Sequence, residues 1–159
     1  MSASAAKLPI LLVKPNGTLN HAQKSILANM NKIYIVGGDG AVSKAYEAEL
    51  NNYGTVERVF GKSRYETSVA IANMFFGDVE SVVVASGKNF PDGLCGGPLA
   101  AAMNAPLILT KDGGVEFAAE YVTDNGITSG YVLGGTGALS NQSVVDAFGL
   151  TSSEQILGK

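Results

Sequence analysis

The sequence predicts an α/β sandwich with a mainly parallel sheet, built from tandem repeats of about 97 residues. Three observations carry this expectation. Short β-branched runs alternate with helical stretches. The runs are nearly continuous in apolar character, as strands covered on both faces must be. The chain also superposes on itself without a gap at a shift of 97 residues.

In that superposition Pro9-Ile-Leu-Leu falls on Pro106-Leu-Ile-Leu, and Lys14 on Lys111. Tyr34-Ile-Val-Gly-Gly-Asp-Gly-Ala-Val-Ser falls on Tyr131-Val-Leu-Gly-Gly-Thr-Gly-Ala-Leu-Ser, and Glu57, Gly61 and Lys62 on Glu154, Gly158 and Lys159. Of the 54 pairs from Pro9 to Lys62, 14 are identical, and most apolar mismatches exchange Ile, Leu and Val. Hydrophobic pattern survives where identity does not. The chain therefore reads as one and a half copies: residues 1–62 are the second half of a preceding repeat and 63–159 a complete one. Even Ala3 and Ala5 match Ala100 and Ala102. A gene seldom begins inside a helix, so this register predicts a longer protein with further copies upstream. The half copy leaves an unfinished sheet, which predicts oligomerisation or docking against the full copy.

Strands are expected at Ile10–Val13, Ile33–Val36, Val56–Phe60, Ser81–Ala85, Leu107–Thr110, Tyr131–Leu133 and Glu154–Leu157, all short runs rich in branched residues. Helices are expected at Asn20–Asn29, Ser43–Asn51, Tyr65–Phe76, Gly93–Met103, Val115–Asn125 and Asn141–Phe148. In the third helix Val69, Ala70, Ala72, Asn73 and Phe76 form the stripe expected to be buried, and Glu66 lies in the first turn, where the helix dipole favours it. Strand, helix and strand in this order imply right-handed crossovers.

Composition narrows the function. The 159 residues are 46% hydrophobic and 16% charged with a net charge of −3, enough to build a core and too acidic for a nucleic-acid binder. The 20 glycines sit between apolar runs without a collagen period, as turn and close-approach residues do. The single cysteine, Cys95, can form no bridge within the chain and has no second thiol near it to suggest zinc. Among small apolar neighbours it reads as a packing thiol. No segment reaches the roughly 18 apolar residues that span a bilayer, so membrane insertion is not expected. Met1–Lys7 lacks the apolar core of a signal peptide.

Two loops invite a chemical reading. Gly38-Asp-Gly-Ala-Val-Ser43 follows a strand and opens a helix, which partly satisfies the dinucleotide-binding pattern, with Glu57 as a candidate ribose ligand. The same element recurs at Gly134–Ala138, and an enzyme rarely needs two equivalent pyrophosphate sites, so a structural turn is the preferred reading. A nucleotide- or dinucleotide-binding enzyme domain is the alternative function. Arg58-Val-Phe-Gly-Lys-Ser-Arg64 places three cations in seven residues, able to attract an anion or to cap neighbouring carbonyls. Ser86 and Asp92 suggest a hydrolase, but the one histidine, His21, has Ala118 as its counterpart, so no repeated triad exists. Asp39, Asp78, Asp92 and Asp112 read as caps or turn residues, without the spacing of a metal site.

Arg58-x-x-Gly-x-x-Arg64-Tyr-Glu-Thr, Ala85-Ser-Gly-x-x-Phe-Pro-Asp92, Pro98-Leu-Ala-Ala, Ala105-Pro-Leu-Ile-Leu and Val132-Leu-Gly-Gly-x-Gly-Ala-Leu-Ser140 occur in this order. Together they resemble the type 2 cell-wall-binding repeat of Gram-positive, especially clostridial, surface proteins. The resemblance covers residues 8–159. It implies Rossmann-like three-layer units, a non-catalytic role without a cofactor, and an extracellular location on the cell wall. The implied partner is an anionic wall polysaccharide, held noncovalently while another region of the parent protein carries a separate activity. The chain departs from the family pattern in copy number and in reading Asp92-Gly-Leu-Cys-Gly-Gly where Asp-Ala-Leu-Ala-Gly-Ser is common. From charge and location, the residues expected to meet the polymer are Arg58, Lys62, Arg64, Lys88 and Lys111, at strand ends or adjoining loops where parallel sheets receive ligands.

Overall fold

Asn20 starts the first helix, α1 (His21–Leu27), with a reciprocal cap in which its side chain accepts from the Gln23 amide and the Gln23 side chain accepts from its own. β1 (Lys32–Val36), α2 (Lys44–Leu50) and β2 (Thr55–Val59) follow. β2 lies parallel to β1, with Ile33 opposite Val56. Ser63 caps α3 (Arg64–Phe75) by accepting from the Glu66 amide. Then come β3 (Ser81–Ser86), α4 (Phe90–Ala102), β4 (Leu107–Thr110), α5 (Glu116–Asp124), β5 (Ser129–Leu133), α6 (Asn141–Phe148) and a 3-10 turn at Ser153–Gln155. This computed structural model describes residues 8–15 and 17–157.

β3 is the centre of a three-stranded parallel sheet in the order β4-β3-β5, with Val83 opposite both Leu107 and Tyr131. Its residues Val82 to Ala85 are at most 1% exposed, which accounts for their unbroken apolar character. On one face Val82, Val84 and Ile108 pack against Ala72 of α3, Ala118, Tyr121 and Val122 of α5, and Ala147 of α6. On the other, Val83, Ala85 and Leu107 pack against Ala100 of α4. These are the three layers of the unit. Glycine makes the second contact possible, because a Cβ at Gly96 would sit 2.4 Å from Leu133 Cδ1 and 2.5 Å from Leu107 Cδ1. A separate core of Leu19, Leu27, Ile35, Tyr46 and Leu50 supports the two-stranded sheet.

Every strand pair is parallel, yet the sheet is in two pieces, and two of the expected strands do not form among the described residues. Ile10–Val13 pairs with no strand among the described residues, whereas its counterpart β4 pairs with β3. Glu154–Leu157 also forms no strand. There Gln155 Oε1 accepts from Thr151 N, Thr151 Oγ1 and Ser152 N, turning the chain into the 3-10 turn. Gln155 stands where the other copy has Arg58, so the cation that ties β2 to its neighbouring loop is missing. The buried face of α3 is also rotated from the expected stripe: Ser68 and Ala72 are buried and Asn73 is exposed. The counterparts of Gly61 and Lys62, Gly158 and Lys159, lie outside the described residues, as do Ala3 and Ala5.

Candidate polymer-binding edge

Parallel strands deliver their carboxyl ends to one edge of a sheet. Here that edge carries Ser86-Gly87-Lys88 after β3, Thr110-Lys111-Asp112 after β4 and Gly134-Gly135 after β5. Arg64, the first residue of α3, reaches it by donating from Nη1 to the Gly87 carbonyl at 2.9 Å. A cavity of about 220 Å³ opens beside this bond, between Arg64, Ser86, Asn89, Phe90, Leu94 and Leu109. Phe90 and Leu94 are 80% and 67% exposed at its margin.

Asp112 organises the neighbouring loop. Its Oδ1 accepts from Ser140 Oγ at 2.6 Å, Ser143 Oγ at 2.6 Å and Ser140 N at 2.8 Å, pinning the β4 loop to the start of α6. These hydrogen bonds, that of Ser140 foremost, with attraction from Lys88, bring its carboxyl down to about 2. In the other copy the corresponding loop is tied by a backbone bond, Ser43 N donating to the Pro15 carbonyl at 3.3 Å.

The glycine loops are matching turns. Gly37 and Gly134 hold φ of +113° and +106°, a region closed to most side chains. Gly38 O accepts from the Ala41 and Val42 amides, as Gly135 O does from those of Ala138 and Leu139. These amides are thereby occupied within the turn. Glu57, the candidate ribose ligand, instead pairs with Lys32 Nζ at 2.8 Å, at the opposite end of β1 from the glycine loop.

Of the five expected polymer contacts, the structure brings Arg64, Lys88 and Lys111 to the three-stranded edge. All three are exposed, and the ion pairs found among the described residues engage Lys24, Lys32, Lys44 and Arg58 instead. Lys62 is exposed in the turn before α3. Arg58 departs from expectation. Its side chain is 10% exposed and is spent on Glu47 and on the carbonyls of Gly37 and Val42. Cys95 departs as well: α4 buries Gly93, Gly96, Gly97 and Ala100, leaving the thiol exposed. Sequence reasoning did not single out Phe90 and Leu94 at the cavity margin, whose signal was large apolar residues, four apart, flanking the small-residue face of a helix.

The sequence matches the family described as Cell wall binding domain 2 over residues 1–47 and 58–145. It is 34% identical over 110 residues to the amidase enhancer of Bacillus subtilis, which covers 69% of this chain and 16% of that protein. It is 30% identical over 135 residues to the N-acetylmuramoyl-L-alanine amidase LytC of the same organism, covering 82% of this chain and 27% of that one. The solved structure of Cwp8 from Clostridium difficile superposes with a TM-score of 0.77 at 31% identity, over 91% of this chain and 25% of its own. The chain thus spans 16% to 27% of the length of these proteins. With parallel α/β architecture, an internal duplication and a match across most of its length, the chain belongs to the type 2 cell-wall-binding domain family.

Proposed function

We propose that this chain is a non-catalytic anchoring module that holds a larger surface protein on an anionic polysaccharide of the Gram-positive cell wall. The observation that carries this reading is the set of exposed cations Arg64, Lys88 and Lys111 at one sheet edge, with Arg64 lining a cavity that Phe90, Leu94 and Leu109 also wall. Acidic groups of the polymer meet the cations, and the apolar face of a sugar ring rests on Phe90 and Leu94. Lys62 extends the charge toward the two-stranded half, while Arg58 contributes by bracing its loop.

A net charge of −3 does not forbid a polyanion, because salt screens exposed charges beyond about 8 Å and local clusters then decide. One such ledge binds weakly, and repetition along a longer chain supplies avidity. The recurrence of the same glycine turn at Gly134 and the pairing of Glu57 with Lys32 support anchoring over nucleotide binding. Retention on isolated Gram-positive walls, before and after removal of their anionic polymers, tests the proposal. Binding to intact walls and loss from stripped walls is expected; equal retention on both overturns it.

A further inference from the structure

The cavity that Arg64 lines holds about 220 Å³, less than the roughly 300 Å³ at which pockets for whole ligands begin. It has room for one substituent of a sugar and not for the chain that carries it. Phe90, Leu94 and Leu109 make most of its wall apolar. Glycine at 93 keeps it open, because a Cβ there would press on Leu109 Cδ2 at 3.2 Å.

Two polar side chains in the same wall have hydrogen-bonding capacity to spare. Ser86 is 3% exposed; its Oγ accepts from Lys88 N at 3.3 Å, and its own proton has no acceptor among the described residues. A buried donor without a partner is uncommon, and a hydroxyl can donate once while it accepts. Asn89 leaves its side chain out of the cap of α4, so its carbonyl oxygen and its amide meet no partner among the described residues. An anionic group gains more outside, on the exposed Arg64, Lys88 and Lys111, than between Leu94 and Leu109, where its charge loses hydration. A purely apolar group would leave the Ser86 proton unpaired. An acetamido group meets all three demands, since it is uncharged, ends in a methyl and carries one acceptor and one donor.

We propose that this cavity receives the acetamido group of an N-acetylated amino sugar, with Ser86 donating to its carbonyl, Asn89 Oδ1 accepting from its N–H and its methyl lying against Leu109. The sugar ring then rests on Phe90 and Leu94 at the margin, and a neighbouring acidic group of the glycan meets Arg64. This inference rests on the polymer-binding reading and deepens it by naming a sugar that stands next to the charge. Two sources in a cell wall can supply the group, the anionic polymer and the peptidoglycan strand, and the experiment separates them.

The test titrates the whole chain with N-acetylglucosamine and N-acetylgalactosamine and follows the amide resonances of Gly87, Asn89 and Gly93. Saturable shifts with a Kd of roughly millimolar order are expected from at least one of them, and none from glucose or galactose at the same concentrations. Ser86→Ala should weaken that binding about fivefold, the worth of one hydrogen bond. Gly93→Ala, which adds a methyl against Leu109, should weaken it too. Both variants should keep the salt dependence of wall retention, which the cations set. Equal shifts with glucose or galactose, or no shift with any of the four sugars, overturn the proposal; wall retention that still requires the anionic polymer would then leave the polymer-binding reading standing without it. Selective shifts together with equal retention on intact and stripped walls support the acetamido site, assign its sugar to the peptidoglycan strand and overturn polymer recognition alone.

Discussion

Arg58 and Glu47 meet across the junction of β2 and α2, with Arg58 Nε 2.9 Å and Nη2 2.8 Å from the same carboxylate oxygen. Nη1 donates to the carbonyls of Gly37 at 2.8 Å and Val42 at 2.9 Å, closing both ends of the glycine turn. Arg58→Ala leaves two loop carbonyls and a carboxylate without their donor. A fully buried pair would cost about 3–5 kcal/mol to break. Because Glu47 remains 39% exposed, about 2 kcal/mol is expected, read as a lower urea midpoint. Arg58→Lys restores only a minor part, since an ammonium lacks the planar fork. Wall retention of the folded fraction should stay unchanged; reduced retention at full stability would return Arg58 to the polymer site.

Asp112 supports the fold more when ionised than when protonated. Hydrogen bonds from Ser140 and Ser143 hold its carboxyl at about 2, below the ordinary 3.8. A carboxylate with a depressed folded-state pKa contributes its full stability above the unfolded value and loses it as pH falls through the folded one. The stability difference between the unaltered chain and Asp112→Ala should be constant from about pH 7 to 5. It should shrink between about pH 4 and 2. Thermal melts across that range check it, and a gap that persists undiminished at pH 2 contradicts it.

Fold class was legible because burial on both faces leaves unbroken apolar runs, as in Val82–Ala85, and because the duplication preserved Gly37 and Gly134 at the same left-handed turn. What local pattern could not show was which runs have a partner. Ile10–Val13 and Leu107–Thr110 look alike in sequence, yet among the described residues only the second has a strand beside it. In the candidate site, charge and position were enough to place Arg64, Lys88 and Lys111 at one sheet edge, but not to show that Arg58 is engaged within the fold. Its neighbours Glu47, Gly37 and Val42 are 11 to 21 residues away, and only folding brings them together. Asp112 was read as a turn residue because its partners lie 28 and 31 residues downstream.

Ser68 does for β4 what a neighbouring strand would do. Its Oγ accepts from the Leu109 amide at 3.0 Å and donates to the Tyr65 carbonyl at 2.7 Å, in a site 6% exposed. Ser68→Ala strands the Leu109 amide in the interior, and a loss of about 1–3 kcal/mol is expected. Hydrogen exchange at Leu109 should accelerate beyond what the global loss explains. Equal acceleration at every β4 amide would instead assign Ser68 to packing alone.

Arg64, Lys88 and Lys111 separate binding from stability. Lys88 and Lys111 donate no side-chain hydrogen bond to a described residue, so Lys88→Gln and Lys111→Gln should melt with the unaltered chain. Arg64→Gln also loses its bond to the Gly87 carbonyl and should melt slightly lower. A charge pair about 4 Å apart in water is worth about 1 kcal/mol, so each substitution should weaken wall binding about fivefold. Binding by the unaltered chain should fall as salt rises, and the triple variant should show a flatter salt dependence, since fewer cations remain to be screened. Retention assays between low and physiological salt read both quantities. A triple variant that binds as tightly and as salt-sensitively as the unaltered chain would move the polymer to another face, because no weaker contribution from these three cations could leave both quantities unchanged.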